Sequence, residues 1–465
     1  MARKPRSYYF DMPWRVEPPN LISPAVGIER VLLRGERAGR TETVSIMDAD
    51  DRRLTRAGVV LAHRITDSRG EWYVIASDWQ PWLPGELRGP LGTGTPVPDQ
   101  VMNLLQPFLR HASLHPAVSI TRQRNIYALL DETDAELGSV VDDRLTHYQG
   151  GQVIQRSRQV FLKSAVMTSA QRDHVLTELT TVGGVRVSHV PDLFTQAGQA
   201  LSDTQTGWPV EADRSATFEQ YLAALFAKRL RRLIRDDLEV RTNQVPDTSL
   251  LQADAATLSA DLKVLEPLAG SEVIKPVVAF ADQVASEPRH ERPDELGDAY
   301  LNLLDALEVA MWQSPDGEWA SWPAKRLLRN ELRARAEALR ACVDDLDSES
   351  PNAAWLLAQR CLSDVAMLWR LATPLIGRPG KVAKYLDRER ELADRCTAAA
   401  YAPDASRIAQ MSPQLAWQAG RMYQRSLDEV RSVREEFLAM WPTLAAELPG
   451  DSVAVELPGD SVAVE

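Results

Sequence analysis

The chain has 465 residues, 25% of them charged and 44% hydrophobic, with a formal net charge of −12. At about 100–200 residues per domain, this length is enough for two to four domains with sizeable cores. A chain this acidic is not built as a whole-surface binder of nucleic acid. No run of about 18 or more apolar residues occurs, so no transmembrane helix or membrane partner is expected. The basic, aromatic start MARKPRSYYFDMPWR lacks the apolar stretch of a signal peptide. Cys342, Cys361 and Cys396 are an odd set without metal-like spacing, expected as reduced thiols in a cytoplasmic protein.

The first two hundred residues predict mainly strands. Gly58–Arg64 and Glu71–Ser77 are short β-rich runs around the turn cluster Asp67–Gly70. A second pair, Asn125–Leu130 and Gly138–Asp142, brackets Asp131–Asp134. Helices are expected over Pro98–Arg110 and Ser169–Val182, where apolar residues recur at helical spacing. Strands with sparse helices point to an antiparallel α+β domain and not to a doubly wound sheet.

After the polar stretch Ser202–Asp213 the pattern turns helical. An apolar stripe starts at Phe218 and runs to Leu238, and further helices are expected at Asp254–Leu268, Leu296–Trp312, Trp322–Leu346, Ala353–Leu375, Val382–Ala399 and Pro413–Trp441. Breakers separate them at Pro315–Gly317, Ser350–Asn352 and Gly377–Gly380. This reads as an all-α, bundle-type domain. Acids and bases cancel through Gln205, so the excess acid lies in this later part. At the C-terminus ELPGDSVAV at 447–455 recurs letter for letter at 456–464 and is expected as a solvated acidic tail, with a partner-binding strand as the alternative.

Several segments in the first half resemble the CYTH superfamily of triphosphate tunnel enzymes. They are Met47–Gly58 followed by Leu61–Arg64, then the basic Leu114–Arg124, then Leu137–Asp143. The helical half resembles the CHAD domain that often follows CYTH in bacterial proteins, most closely at Leu371–Gly377 with Arg378, Lys381 and Lys384 beyond. The resemblance implies an antiparallel barrel-like tunnel followed by antiparallel helical bundles. Its boundaries are an extension at 1–24, a tunnel domain at 25–201, a linker at 202–214, a helical domain at 215–446 and a tail at 447–465.

Triphosphate chemistry needs cations on phosphate oxygens and carboxylates on a divalent metal. The family's acidic Glu-x-Glu-x-Lys strand is matched to Gly27–Val31, where only Glu29 is kept, and its later acidic strand to Arg158–Leu162, where no acid remains. Arg158 would then add positive charge beside the metal. What the resemblance leaves is Arg64, Arg122 and Arg124 for a polyanion, with Glu29 and Asp143 as metal ligands. In the helical half the family's polyphosphate signatures are largely replaced, and the anion-binding candidates are Lys228, Arg232, Arg360, Arg378, Lys381 and Lys384. For these basic clusters a solvated helix face is the simpler reading. Trp72, Trp79 and Trp82 are expected to pack and not to stack bases.

The expected function is a non-catalytic binding or scaffold protein for phosphate-rich polyanions, such as inorganic polyphosphate or nucleotide phosphates, with no cofactor and no specific nucleic acid. Two alternatives stand beside it. One is a triphosphate or polyphosphate phosphohydrolase using Mg or Mn, and the other is a pure protein-interaction module.

Overall fold

The computed structural model describes residues 6–34, 40–66, 69–83, 86–88, 96–164, 166–202, 207–209, 211–314, 318–377, 381–399 and 410–450. Asp67, Ser68, the Gly-rich stretch 89–95, the breakers at 315–317 and 378–380, and the duplicated tail beyond Gly450 lie outside them. By packing, the chain divides into two units. The first holds Met1–Trp208, Ile234–Thr248 and Glu291–Glu295, and the second holds Pro209–Leu233, Ser249–His290 and Leu296–Glu465.

The first unit is built on one antiparallel sheet. Its strands are β1 (Arg6–Met12), β2 (Arg30–Leu33), β3 (Arg40–Asp48), β4 (Val60–Thr66), β5 (Arg69–Ile75), β6 (Glu86–Arg88), β7 (His115–Leu130), β8 (Glu136–Gln149), β9 (Gln152–Ser164) and β10 (Val185–Val187). Their order is β10-β1-β9-β8-β7-β3-β4-β5-β6, and β2 pairs with the far end of β7. The predicted hairpins Gly58–Ser77 and Asn125–Asp142 are present as β4–β5 and β7–β8. The stretch expected as an extension supplies β1, because Phe10 and Met12 alternate into the core while the neighbouring strands take up its backbone.

Four helices accompany the sheet: α1 (Arg53–Arg56), α2 (Asp99–Leu109), α3 (Ser169–Thr181) and α4 (Leu193–Ser202). Turn chemistry fixes where they start. Asp48 is fully buried at the end of β3 and accepts hydrogen bonds from the backbone N–H of Ala49, Leu54 and Thr55 at 2.8–3.0 Å, and from the Thr55 hydroxyl at 2.6 Å. The Met47–Gly58 segment therefore has a structural basis: one buried carboxylate satisfies the donors of the turn that carries α1. Thr168 and Gln171 form a reciprocal capping box at the start of α3. At the β8–β9 hairpin, Gly150 and Gly151 have φ of +55° and +77°, the left-handed pair of a tight two-residue turn.

Alternation splits the sheet's side chains into two packed layers. On one face Phe10, Leu129, Val140, Val160 and Leu162 pack against Val175 and Leu179 of α3. On the other, Val44, Ile46, Ala62, Ile120 and Leu145 pack against Leu193 and Ala197 of α4. Trp72 and Trp79 are buried, Trp72 stacked on His63 and Trp79 edge-on to Phe108. They pack, as expected.

The second unit is helical, as its periodicity predicts. Its helices are α5 (Phe218–Arg241, entering the first unit at Ile234), α6 (Ser249–Ala269), α7 (Ser271–Ser286), α8 (Gly297–Trp312), α9 (Ala324–Val343), α10 (Asn352–Ile376), α11 (Lys381–Ala399) and α12 (Pro413–Glu447). Helix α7 was not anticipated. Gly270 at φ +81° and Pro276 punctuate its pattern, and the helix continues through Pro276, which stands inside it and leaves the Glu272 carbonyl without its intrahelical donor. Cross-helix pairs set the packing as antiparallel: Lys263–Asp282 for α6 with α7, Arg335–Asp364 for α9 with α10, and Arg388–Glu436 for α11 with α12. Among the described residues no helix is long and apolar enough to cross a membrane.

One carboxyl among the described residues of this unit is buried with little compensation. Glu389 on α11 is fully buried and neither of its oxygens has a hydrogen-bond partner. Burial first, then the Glu436 carboxylate, push it up to about 8, against a smaller pull from Arg388. Between the ordinary carboxylate range and about 8, the folded state holds a proton that the unfolded chain has released, so raising the pH across that window favours unfolding. Replacing Glu389→Gln is expected to remove this slope. Melting temperatures measured from pH 5 to pH 9 should fall more steeply for the parent chain than for the variant.

Candidate functional site

Strand register decides which charged residues meet. Arg124 on β7 lies opposite Asp143 on β8 and Arg40 on β3, and Arg122 lies opposite Glu42 on β3. One strand further, Val44 of β3 opposes Arg64 of β4, which opposes Glu71 of β5. With side chains alternating every residue, Glu42, Arg64, Glu71, Tyr73, Arg122, Arg124 and Asp143 all fall on the face packed by α4. The three arginines and the aspartate expected to act together are on one face.

They form a connected ion-pair lattice. Arg124 grips Asp143 with two hydrogen bonds, Nε to Oδ1 at 2.7 Å and Nη2 to Oδ2 at 2.6 Å. Arg122 reaches the same carboxylate at 3.8 Å and donates to Glu42, whose other oxygen is 2.5 Å from Arg64 Nε. Arg64 Nη1 lies 3.5 Å from the Tyr73 hydroxyl, which donates to Glu71. The layers differ in exposure: the Asp143 and Glu42 side chains are 5% and 11% exposed, against 36%, 21% and 31% for Arg64, Arg122 and Arg124. The cations thus form the solvent-facing layer above buried acids. The Asp143 hydrogen bonds raise Arg124 above its ordinary value, and burial with the Glu71 bond raises Tyr73.

Aromatic groups line the same face. Arg124 and Lys163 sit over the Phe161 ring at 5.5 and 5.6 Å, and Tyr73 packs on Phe194 of α4 at 4.9 Å between centroids. Glu42, Glu71, Tyr73 and Phe161 belong to no motif in the sequence that marks them as site residues. A signal for Glu42 was present: in Glu42-Thr43-Val44-Ser45-Ile46 it shares the inward parity of Val44 and Ile46.

Two expected placements are corrected by register. Gly27–Val31 does not enter this site. Glu29 donates its N–H to Leu130 at the far end of β7, six residues or about 20 Å along the strand from Arg124, so it is not brought to Asp143. The N-terminal strand reaching the arginine face is β1, which carries Ser7, Tyr9 and Asp11 there opposite Lys163, Phe161 and Gln159. Arg158, expected to add positive charge beside the acids, faces the other side. It is 2% exposed, donates twice to Asp142 at 2.9 and 2.8 Å, and donates to the Val16 carbonyl at 3.0 Å.

The donor set does not fit a divalent metal. All four oxygens of Glu42 and Asp143 face guanidinium nitrogens. A hard cation would have to displace those donors and then sit beside three positive charges. Among the described residues no cluster of three or more His, Cys, Asp or Glu side chains is spaced for a metal.

In the helical unit the basic candidates are dispersed or claimed by acids. Lys228, Arg360 and Lys384 are exposed, and Arg232 pairs with Asp254. Arg378 and the Lys381 side chain lie outside the described residues. Asp261 is fully buried between Arg229 of α5 and Arg370 of α10. These pairs tie helices together.

No family model matches the chain, and no curated protein matches it. Two solved structures are similar to its first part. A candidate adenylate cyclase from Bacillus halodurans aligns over 37% of this chain and 96% of its own, with 13% identity and a TM-score of 0.17. A candidate adenylyl cyclase from Hippeastrum, described as having a dominant triphosphatase activity, aligns over 42% of this chain and 95% of its own, with 12% identity and a TM-score of 0.20. Neither likeness assigns an activity to this chain.

The opposite-facing pair gives a direct test of the register. Arg158→Ala strands Asp142 in the core and is expected to cost about 3–5 kcal/mol in urea unfolding, while joint replacement by Asp142→Leu and Arg158→Met recovers most of that loss.

Proposed function

We propose that the sheet unit is a non-catalytic binding domain for a compact phosphate-rich polyanion of the triphosphate class, with inorganic tripolyphosphate as its simplest form. The observation that carries this reading is the layering of the arginine face, where Arg64 of β4 and Arg122 and Arg124 of β7 flank β3 and are held above the buried Glu42 and Asp143. A guanidinium has five donors, so Arg124 can keep its Nε and Nη2 bonds to Asp143 and still offer its other edge to a phosphate oxygen. The acids hold the cations in place before the ligand arrives, which lowers the ordering cost of binding. The resemblance to triphosphate tunnel enzymes supports the ligand class.

Catalysis is left out for a chemical reason. Phosphoryl transfer gains its rate from charge neutralisation and alignment of an attacking water, both commonly supplied by metal ions on carboxylates. Here the two buried carboxylates, Glu42 and Asp143, are committed to arginine.

Calorimetric titration of the full chain with tripolyphosphate at low ionic strength tests the reading. Binding is expected, weakening as salt is raised. Arg64→Gln and Arg122→Gln, which keep a neutral donor for Glu42, should each weaken it roughly ten-fold or more. Magnesium should not strengthen it, since the ion lowers the ligand's charge and the Glu42 and Asp143 carboxylates are already held by arginine. No binding at low salt overturns the proposal. Phosphate release from tripolyphosphate or a nucleoside triphosphate that is lost in Asp143→Ala and Arg124→Ala would replace it with the phosphohydrolase reading.

A further inference from the structure

Cys342 and Cys361 are well separated in sequence, yet α9 and α10 run antiparallel and bring their Sγ atoms to 3.5 Å. Both residues are half-buried and therefore within reach of small molecules. The pair belongs to the second unit and the arginine face to the first.

We propose that Cys342 and Cys361 form a reversible dithiol–disulfide site, oxidised by a low-molecular-weight disulfide. A disulfide bond is about 2.05 Å long, so the two sulfurs need to close by about 1.5 Å in total, a side-chain adjustment between two packed helices. The surroundings assign the order of events. Burial, and after it the neighbouring Cys342, push the Cys361 thiol up to about 11, so it keeps its proton near neutral pH. Cys342 therefore attacks first, on one sulfur of the small disulfide R–S–S–R. Its S–H proton leaves to solvent, the new Cys342–S–S–R bond forms, and one RS⁻ departs and is protonated to RSH. Cys361 then loses its proton to solvent and attacks the Cys342 sulfur, expelling the second RS⁻, which is protonated in turn. The balance is two protein thiols and one small disulfide giving one protein disulfide and two small thiols. Close approach makes the second step intramolecular, which favours the protein disulfide over a lasting mixed disulfide.

The bond would staple α9 to α10 across the hairpin that joins them. Closing this loop removes conformations from the unfolded chain and not from the folded one. The expected effect is a rise in melting temperature of roughly 5–10 °C, reversed by a dithiol reductant.

The test uses the full, reduced chain incubated with oxidised glutathione. Thiols counted in denaturant should fall from three to one, as the chain has three cysteines. Mass mapping of the digest should show Cys342 joined to Cys361 within one chain, at a rate independent of protein concentration. Cys342→Ser and Cys361→Ser should each abolish the cross-link. The single thiol left at the site in Cys361→Ser should hold a glutathione adduct. The proposal is overturned if the count stays at three, if glutathione remains on the parent protein as a mixed disulfide, or if the bond joins Cys396 or two chains.

Discussion

The exchange of charge between two buried carboxylates and three arginines governs the sheet unit. Glu42 and Asp143 cannot be stripped of water without cations against them, and the cations come from β4 and β7. Each guanidinium is shared or held at more than one point, so β3, β4, β7 and β8 are fixed relative to one another by side chains as well as by backbone ladders. The same arrangement turns positive groups outward and withdraws the negative ones. The proposed preference for anions over divalent cations rests on that geometry.

The helical unit uses the same pairing to a different end. Asp261 draws Arg229 and Arg370 toward one point and so joins α5, α6 and α10. Arg434 of α12 donates to the carbonyls of Ser348 and Ser350 and so holds the α9–α10 connection. Basic residues that read as anion ligands in the sequence are partly spent on such joints. A cation count along a helix cannot reveal this, because the acids that claim the cations lie on other helices.

The architecture was largely legible because it rests on local signals. Alternating β-branched runs around turn clusters marked β4–β5 and β7–β8, and apolar spacing of three and four marked most of the helices. The site was legible in part. Arg64, Arg122, Arg124 and Asp143 were found from motifs, but the partners that make them a lattice depend on pairing between distant strands. Motif matching placed Gly27–Val31 and Arg158 at the site, where parity along β1 and β9 places Tyr9, Asp11 and Gln159 instead. The thiol pair was hidden for a similar reason, since only the antiparallel register of α9 against α10 brings its members together.

Asp142 and Asp143 are chain neighbours with opposite assignments, one sealed against Arg158 and the other beneath Arg124. What separates the two roles is a single step in the phase of β8, and that phase against β9 is set by the Gly150–Gly151 turn together with the register shift at His147–Tyr148. A turn lengthened by one residue would leave composition, charge and hydrophobicity almost unchanged. It would nonetheless present Arg158 where Gln159 belongs and turn the interior chemistry of that strand inside out. For this molecule an insertion at the hairpin is a more drastic change than most substitutions within the site.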